Sequence, residues 1–439
     1  MVDSLTDKVF AAGVVGAGGG GFPTHHKIAR KVEWVIANGA ECEPLLYNDQ
    51  ELLRVAWREV LSGLQMVGQA TAAKRLVLAV KKKNQELVSL LRGSITAAGV
   101  EIAELPDCYP AGDEHEVVAL ATGRVVPAGG LPVDVGVLVQ NVETLRNVAA
   151  ASRGVPVTER TITLAGCVQE PKVLRVPVGT LVQDLLPLCG GPQCQAPAFL
   201  LGGVMMGALT MEPATPVEKT TSAVVVLPAN HPCVQRRMQS LQHQLRNAQS
   251  ACTQCVLCTE SCNRYLLGHQ LQPHRLMRTM ALGLRGDNEI APMALLCSEC
   301  GACEYACPMG LSPRLVNRQL KRLVRRPVTE VAGAGAPVAR VPLGTGRIPT
   351  DRLVARFALG PYQRRACYWE HKVAPKRVEI RLKQHAGAAA RPTVRRGQEV
   401  TVGEVVGDCA PGDLSARVHA SVSGRVVEVD EEKVCIERT

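Results

Sequence analysis

Hydrophobic residues in the first third of the chain alternate between helical spacing and short uninterrupted runs. Leu5, Val9, Phe10 and Val14 recur at helical intervals, and the apolar runs at 34–37 and 76–80 are typical of buried strands. The segment 49–73 between these runs has the pattern of a helix. Strands that alternate with helices predict an α/β layer architecture with a Rossmann-like sheet.

The pattern changes to an alternation of apolar and polar residues from Arg160 onwards. This alternation turns at Gln169-Glu170-Pro171 and enters an amphipathic segment after Thr180, which predicts a small β-grasp unit over 160–188. Short strand-like segments with glycine turns return at 382–387, 394–407 and 420–427. They resemble the barrel-sandwich hybrid of biotin and lipoyl carriers, but the turn at 420–424 lacks the lysine that those carriers modify. We therefore expect a structural or docking module.

These changes of pattern divide the chain into five predicted segments. They are an α/β domain (1–155), a β-grasp domain (156–230), a cysteine-rich helical domain (231–327), a linker rich in Gly, Ala, Pro and Val (328–345) and a β barrel-sandwich hybrid (346–439).

The cysteine-rich domain contains the pattern CxxCxxCxxxC twice. The copies are Cys252, Cys255, Cys258, Cys262 and Cys297, Cys300, Cys303, Cys307. This is the spacing with which bacterial ferredoxins hold two [4Fe-4S] clusters, and the fourth cysteine of each copy ligates the other cluster. We therefore expect Cys252, Cys255, Cys258 and Cys307 on one cluster, and Cys297, Cys300, Cys303 and Cys262 on the other. Two zinc ribbons or a disulfide framework fit the spacing less well.

The two copies differ at one position. The second copy ends Cys307-Pro308, as the usual motif does, whereas the first ends Cys262-Asn263. The ligands are retained, so we expect the difference to affect the local loop geometry or the cluster potential.

Composition limits the other classes of function. The 439 residues carry a formal charge of +10, but only 3% are aromatic, and the basic excess is concentrated in 314–396. A nucleic-acid-binding surface would interleave basic and aromatic side chains, so we expect no nucleic-acid partner. The basic segment is either a solvated face beside an anionic centre or a docking surface for an acidic electron-transfer partner. There is no run of eighteen apolar residues, so we expect no transmembrane segment. Seventeen cysteines suit a reducing cytoplasm.

A glycine run near the N-terminus, VVGAGGGG at 14–21, precedes a predicted helix that contains Lys27. Backbone N–H groups in such a run can approach a phosphate closely. The run matches neither the dinucleotide fingerprint GxGxxG nor the Walker sequence, so a flexible loop remains the alternative.

Four motifs in order carry a family resemblance: Gly16–Thr24, Asn38–Pro44, Tyr109–Glu114 and Gln140–Leu145. They resemble the FMN-site motifs of the family that contains the NADH-oxidising flavoprotein subunit of respiratory complex I. The two ferredoxin-like motifs bring the chain closer to one branch, which holds the RnfC component of Rnf complexes and the cobalamin reductases of propanediol-utilisation microcompartments. The C-terminal position of the barrel-sandwich module favours the reductases.

The resemblance implies roles for twelve residues. Gly16, Gly18, Gly19, Gly20 and Lys27 would hold the FMN phosphate and ribityl chain, with Thr144 near the phosphate. Asn38 and Asn141 would hydrogen-bond the flavin or its tail, and Glu41, Tyr109, Gly112 and Glu114 would line the nicotinamide pocket. The β-grasp unit resembles the soluble-ligand-binding (SLBB) domain, which in some members is thought to bind cobalamin; a structural adaptor is the alternative here.

The function that the resemblance implies is NADH-dependent electron transfer through FMN and two [4Fe-4S] clusters to a one-electron acceptor. Hydride transfer needs no side chain as general acid or base. The favoured acceptor is cob(III)/cob(II)alamin, with a cobalamin adenosyltransferase as partner, in the cytoplasm or within the lumen and shell of a bacterial microcompartment. One alternative is an Rnf-like subunit that exchanges electrons between NADH and ferredoxin, quinone or a radical-enzyme activase. The other is a non-catalytic cluster scaffold.

Overall fold

The first domain is built on a parallel sheet with helices packed against it. The computed structural model describes residues 4–283, 290–324, 328 and 337–439. The elements of this domain are α1 (Leu5–Ala11), α2 (Thr24–Ile28), β1 (Trp34–Gly39), α3 (Asn48–Ala70), β2 (Arg75–Lys81), α4 (Gln85–Ala97), β3 (Val100–Leu105), β4 (Cys108–Tyr109), α5 (Glu114–Thr122), β5 (Val137–Asn141) and α6 (Val142–Ala151). The strands predicted at 34–37 and 76–80 and the helix predicted over 49–73 are confirmed.

The order of the strands creates a place for a ligand. The sheet runs β3-β2-β1-β5 and is parallel throughout, so the chain leaves β1 toward β2 and later returns to the other side of β1 as β5. Ligands of open α/β sheets bind outside the carboxyl ends of the strands at such a switch point. Asn38 and Asn141 lie there in direct register.

The second domain has the predicted order of strand, turn, strand and helix. Its elements are β6 (Glu159–Gly166), β7 (Lys172–Pro177), α7 (Val182–Leu185), β8 (Pro197–Leu201), β9 (Ala208–Thr210) and β10 (Ala223–Pro228). The strands form a mixed sheet, in which β6 pairs antiparallel with β7 and parallel with β10. This order and pairing agree with the predicted β-grasp unit.

The cysteine-rich domain is helical. Its helices are α8 (Pro232–Met238), α9 (Leu241–Ala251), α10 (Leu257–Glu260), α11 (Asn263–Leu266), α12 (Pro273–Ala281), α13 (Ala302–Ala306) and α14 (Pro313–Leu323). A buried core that includes Leu276, Met277, Val316 and Leu320 packs α12 against α14. Helix α12, which lies between the two cysteine motifs, thus packs against α14, which follows the second motif.

The last part of the chain forms two small sheets after a segment that returns to the earlier domains. Its elements are β11 (Ile348–Pro349), α15 (Thr350–Arg356), β12 (Cys367–Tyr368), β13 (Arg377–Arg381), β14 (Arg391–Pro392), β15 (Glu399–Val400), β16 (Val405–Asp408), β17 (Val418–His419), β18 (Gly424–Val429) and β19 (Lys433–Arg438). The sheets are β13-β19-β18-β15 and β14-β16-β17, while β11 pairs with β4 and β12 extends the β-grasp sheet beside β7.

One predicted strand of this region is wrong. Residues 382–387 form a bend, and the strand is β13, which ends at Arg381. The buried residues Val378, Ile380 and Leu382 alternate with more exposed positions, so the alternation that marks the strand begins before the predicted segment. Gly387, with φ of +98°, follows within the bend.

Of the linker predicted at 328–345, residues 329–336 lie outside the described residues, and residues 337–345 form no helix or strand. The other domain boundaries stay predictions. None of the described helices combines the length and apolar character needed to cross a membrane.

A buried ion pair joins the first two domains. Arg160 on β6 contacts Glu143 on α6, and their side chains are 2% and 0% exposed. The Arg160 guanidinium also donates to the carbonyl oxygens of Thr221 (2.8 Å) and Ala17 (2.5 Å), while the Thr161 amide donates to Glu143 at 2.7 Å. Ala17 lies in the glycine run, so one side chain ties that loop to α6 and to the β-grasp domain.

We predict that Arg160→Met lowers the apparent free energy of unfolding by about 3–5 kcal/mol, because it leaves the Glu143 carboxylate buried without a counter-charge. The matched control is Arg75→Met, which removes a half-exposed partner of Glu101 and should cost less than about 1 kcal/mol. Urea unfolding followed by circular dichroism measures both. Equal shifts of the two midpoints would contradict the role given to Arg160.

Candidate functional site

A cavity of about 900 Å³ opens at the carboxyl ends of β1 and β5. Its walls come from the first domain, from the β-grasp domain, from Cys300 of the cysteine-rich domain and from Arg381 at the end of β13. Eleven of the twelve residues predicted for the FMN and NADH site line it: Gly16, Gly18, Gly19, Gly20, Lys27, Asn38, Glu41, Tyr109, Gly112, Glu114 and Asn141. The volume lies within the range typical of ligand and cofactor sites.

The glycine run forms a closed loop with room in front of it. Its ends are held by the Gly16 amide, which donates to the carbonyl of Phe22 at 2.9 Å, and by the Gly21 amide, which donates to Gly16. Gly19 has φ of +96°, which favours glycine, and a Cβ at Gly19 or Gly20 would meet no atom within 4 Å. The loop therefore presents bare backbone to the cavity, as a phosphate cradle requires.

Thr144 is the predicted site residue that does not line the cavity. It is fully buried, and its hydroxyl accepts a hydrogen bond from the Ala17 amide at 2.8 Å. Thr144 thus supports the glycine loop from within α6. Its predicted position near a phosphate stays a prediction.

Lys27 in α2 is held at the cavity wall by two acceptors. Its ammonium group donates to Glu114 Oε1 at 2.5 Å and to the carbonyl of Val139 at 2.7 Å. Two residues that the family resemblance assigns to different parts of the site are therefore directly paired.

The two asparagines at the switch point hold loops around the cavity. Asn38 Nδ2 donates to the Gly112 carbonyl at 3.0 Å, and a Cβ at Gly112 would lie 2.4 Å from the carbonyl oxygen of Ala40, so only glycine fits there. Asn141 caps α6 by accepting from the Glu143 amide and donates to Asp49 Oδ2 at 2.9 Å. Each amide keeps some hydrogen-bonding capacity for a ligand.

The cavity wall contains four carboxylates that sequence analysis did not assign: Glu43, Asp49, Asp113 and Glu218. Burial raises the pKa of Glu43 to about 6, although the Met205 and Met206 amides each donate to it at 2.8 Å. Burial likewise raises the pKa of Asp49 to about 7. Glu43 lies within the FMN-site motif Asn38–Pro44, two residues after Glu41. Its place in this motif could have indicated a role in the site. Asp49 carries no such signal, because its partner Asn141 is distant in sequence.

Glu41 faces the same group of acids. Burial, and then the negative charge of Asp49, raise the pKa of Glu41 well above its usual range. Its oxygens accept weak hydrogen bonds from the Asp49 amide (3.4 Å) and the Gln50 side chain (3.3 Å). The wall is thus less negative near neutral pH than its count of acids suggests.

One wall of the cavity is shared with the second cysteine motif. The hydroxyl of Tyr109, a residue only 1% exposed, donates to the carbonyl oxygen of Cys300 at 2.5 Å. A second tie is the ion pair of Asp113 with Arg264, whose two contacts are 2.6 and 3.1 Å. The loop after β4 therefore packs directly on the cysteine-rich domain.

The eight motif cysteines fall into two groups of four. The distal group, Cys252, Cys255, Cys258 and Cys307, lines one small cavity, and burial followed by the neighbouring thiols raises the pKa of Cys258 to about 12. The proximal group is Cys262, Cys297, Cys300 and Cys303. Burial followed by the Cys262 thiol raises the pKa of Cys300, and the same thiols surround Cys303.

Each group takes three cysteines from one motif and the fourth from the other, as the predicted crossed ligand sets require. Thiols with raised pKa values become thiolates only when a cation compensates them, which iron would do. The donor set therefore fits iron–sulfur clusters. The individual ligands stay predictions.

The two groups differ in exposure. Every proximal cysteine is less than a tenth exposed, whereas Cys255 of the distal group is exposed and the other three are partly exposed. Only the proximal group contributes a residue, Cys300, to the lining of the large cavity.

Comparison with known families identifies four parts of the chain. The Nuo51 FMN-binding domain matches residues 9–150, and the SLBB domain matches residues 161–209. The 4Fe-4S dicluster domain matches residues 251–312, and the RnfC barrel-sandwich hybrid domain matches residues 365–438. The predicted fold class, the FMN-binding domain and the dicluster domain are confirmed.

Some similar proteins match nearly the whole chain, and others match only part of it. The chain is 41% identical to the cobalamin reductase PduS of Salmonella typhimurium, over 99% of this chain and 97% of that protein. It is 31% identical to a component of the proton-translocating ferredoxin:NAD(+) oxidoreductase complex of Clostridium ljungdahlii, over 60% of this chain and 57% of the relative. The crystal structure of an NAD+-reducing [NiFe]-hydrogenase in the H2-reduced state matches with a TM-score of 0.49 and 22% identity, over 75% of this chain and 63% of that one. The chain belongs to the family of PduS cobalamin reductases.

Proposed function

We propose that this protein transfers electrons from NADH to the cobalt of cobalamin, with FMN in the large cavity and one [4Fe-4S] cluster in each cysteine group. The observation that carries the proposal is the position of Cys300, which both lines the cavity and belongs to the proximal group. A cluster in that group would therefore lie beside the flavin. The similarity to a protein named cobalamin reductase supports the choice of acceptor.

The FMN site would use the glycine loop and Lys27. An ammonium group has three donors, and two of those of Lys27 are directed to Glu114 and Val139, so one remains for a phosphate oxygen. The open space in front of Gly19 and Gly20 allows backbone amides to approach the phosphate. Bound FMN supplies the conversion between a two-electron hydride and single electrons.

NADH would enter on the side lined by Glu41, Tyr109, Gly112 and Glu114. Its pyrophosphate is anionic, so carboxylates in this wall would repel it if all were ionised. The raised pKa values of Glu41 and Asp49 keep more of this wall neutral near pH 7. These side chains orient the nicotinamide and exclude water, and none of them transfers a proton.

The two cysteine groups define an inner and an outer site. The proximal group is buried against the flavin cavity, and the distal group reaches the surface at Cys255. The exposed side chains of Leu257, which precedes Cys258, and of Met309, two residues after Cys307, provide apolar surface at this outlet. We infer that the acceptor receives electrons there.

The setting of the reaction is part of the proposal. Family resemblance favours a cobalamin adenosyltransferase as the downstream partner and the lumen of a bacterial microcompartment as the location. The relative in the ferredoxin:NAD(+) oxidoreductase complex favours, as a second candidate, electron exchange between NADH and ferredoxin.

We predict that anaerobically purified protein contains flavin that NADH bleaches, and that it reduces cob(III)alamin at least tenfold faster than the same concentration of free FMN. Stopped-flow absorbance measures both reactions. If the flavin bleaches but cobalamin is reduced no faster than by free FMN, while ferredoxin is reduced rapidly, the second candidate replaces the first. Protein that binds no flavin would be the cluster scaffold.

We predict that Gly20→Val folds but loses most of its flavin, because the added side chain extends into the open space where the phosphate would lie. Gly93→Val is the matched control: its Cβ also meets no atom within 4 Å, its φ is not left-handed, and it is exposed on α4, which contributes no residue to the cavity. The ratio of flavin to protein, measured by absorbance, should fall at least tenfold in Gly20→Val and stay at the wild-type value in the control. Equal flavin content in both variants would contradict the assignment of the loop.

We predict that Cys255→Ser and Cys300→Ser separate the outer site from the inner one. NADH should still reduce one cluster in Cys255→Ser, because the proximal group is intact, while cobalamin reduction falls at least tenfold. In Cys300→Ser, NADH should bleach the flavin without reducing the distal cluster. Electron paramagnetic resonance after addition of NADH makes the comparison, and the reverse pattern would contradict the order of the two groups.

A further inference from the structure

The fourth cysteine of each motif has nearly the same backbone conformation but is followed by a different residue. Cys262 has φ and ψ of −78° and 118°, and Cys307 has −73° and 113°. Asn263 follows the first and Pro308 the second. An extended residue such as Cys262 is compatible with a following proline, and the first residue of a helix such as α11 needs no backbone N–H. The backbone therefore does not require asparagine at 263.

The Asn263 side chain lies against a predicted cluster ligand. It is 1% exposed, and its Oδ1 lies 3.8 Å from Cys300 Sγ. Its Nδ2 is buried and finds no hydrogen-bond partner in the described part of the chain. A half-turn of the amide exchanges its oxygen and nitrogen, so Nδ2 can face the sulfur once that sulfur is a thiolate acceptor.

A second buried asparagine contacts the same group of cysteines. Asn317 on α14 is fully buried, and its Nδ2 donates to Cys297 Sγ at 3.4 Å. Around the distal group, by contrast, no side chain in the described ranges donates to the sulfur of any of the four cysteines. The amides are therefore concentrated on the buried group beside the flavin cavity.

The charged side chains near the proximal group are already paired. Glu304 and Arg314, which lie near Cys303, form an ion pair with each other at 3.1 Å. Arg264 follows Asn263 and lies near Cys262 and Cys300, but Asp113 neutralises it through two contacts. Neutral amides are thus the side-chain donors left to act on these sulfurs.

We propose that Asn263 and Asn317 donate N–H groups to the sulfurs of the proximal cluster and raise its reduction potential above the value that proline at 263 would give. A hydrogen bond to sulfur stabilises the reduced cluster more than the oxidised one, because reduction adds negative charge. The inference rests on the proposed ligand sets, and it makes the buried cluster a better acceptor of electrons from the flavin than it would be without the two amides.

Redox potentiometry followed by electron paramagnetic resonance tests this on the anaerobic full-length protein. Asn263→Pro should lower the potential of one cluster so that its reduced-to-oxidised ratio at a fixed potential falls about tenfold, which is about 59 mV for a one-electron couple. The other cluster should not change. Asn317→Leu should shift the same cluster in the same direction, and the control Asn247→Leu, an exposed residue of α9, should shift neither.

Iron and sulfide analysis separates the possible failures. If both variants retain two clusters and neither potential moves, the role of the amides is overturned while the ligand sets stand. If wild-type protein lacks two clusters, the ligand sets fail and the inference fails with them. If Asn263→Pro does not assemble the cluster, the test rests on Asn317→Leu alone. An unchanged potential of the proximal cluster in Asn317→Leu then overturns the proposal.

Discussion

The hydrogen bond between the Tyr109 hydroxyl and the Cys300 carbonyl marks the contact on which the arrangement depends. In the proposed function single electrons pass between a flavin and a cluster, and a shared wall would keep their two pockets close. Alone, one hydrogen bond contributes only about 1 kcal/mol. Here it lies within a hydrophobic core that also includes Met205 of the β-grasp domain and Ile348 and Leu353 of the C-terminal region. Segments from every domain thus hold the shared wall in place.

Further contacts between the domains support this shared wall. Arg160 and Glu143 join the glycine loop to the β-grasp domain, and the strands β11 and β12 return to pair with the first and second domains. Arg381 of β13 reaches the cavity from the C-terminal sheets. The barrel-sandwich module is therefore part of the framework of the site, which agrees with the absence of a modifiable lysine from its turn at 420–424.

Local features of this chain could be predicted from sequence, and contacts between distant segments could not. The cysteine spacing and the apolar runs of β1 and β2 depend on neighbouring residues. The dicluster domain and the two strands predicted from them are confirmed, while the individual cluster ligands stay predictions. The hydrogen bonds of Glu43 with the amides of Met205 and Met206 span 162 and 163 residues, so no local pattern indicated them. The same is true of Thr144. Its motif indicated that it belongs to the site, but its position behind the glycine loop depends on a contact with the distant residue Ala17.

In the proposed function, the two cysteine groups would give electron transfer a direction, from a buried inner site beside the large cavity to an outer site at the surface. The most direct test is anomalous scattering at the iron edge from crystals of anaerobically purified protein. The account predicts two iron peaks per chain, with Cys262, Cys297, Cys300 and Cys303 around the one that borders the flavin. Uncrossed ligand sets, or a cluster of the Cys255 group beside the flavin, would contradict it.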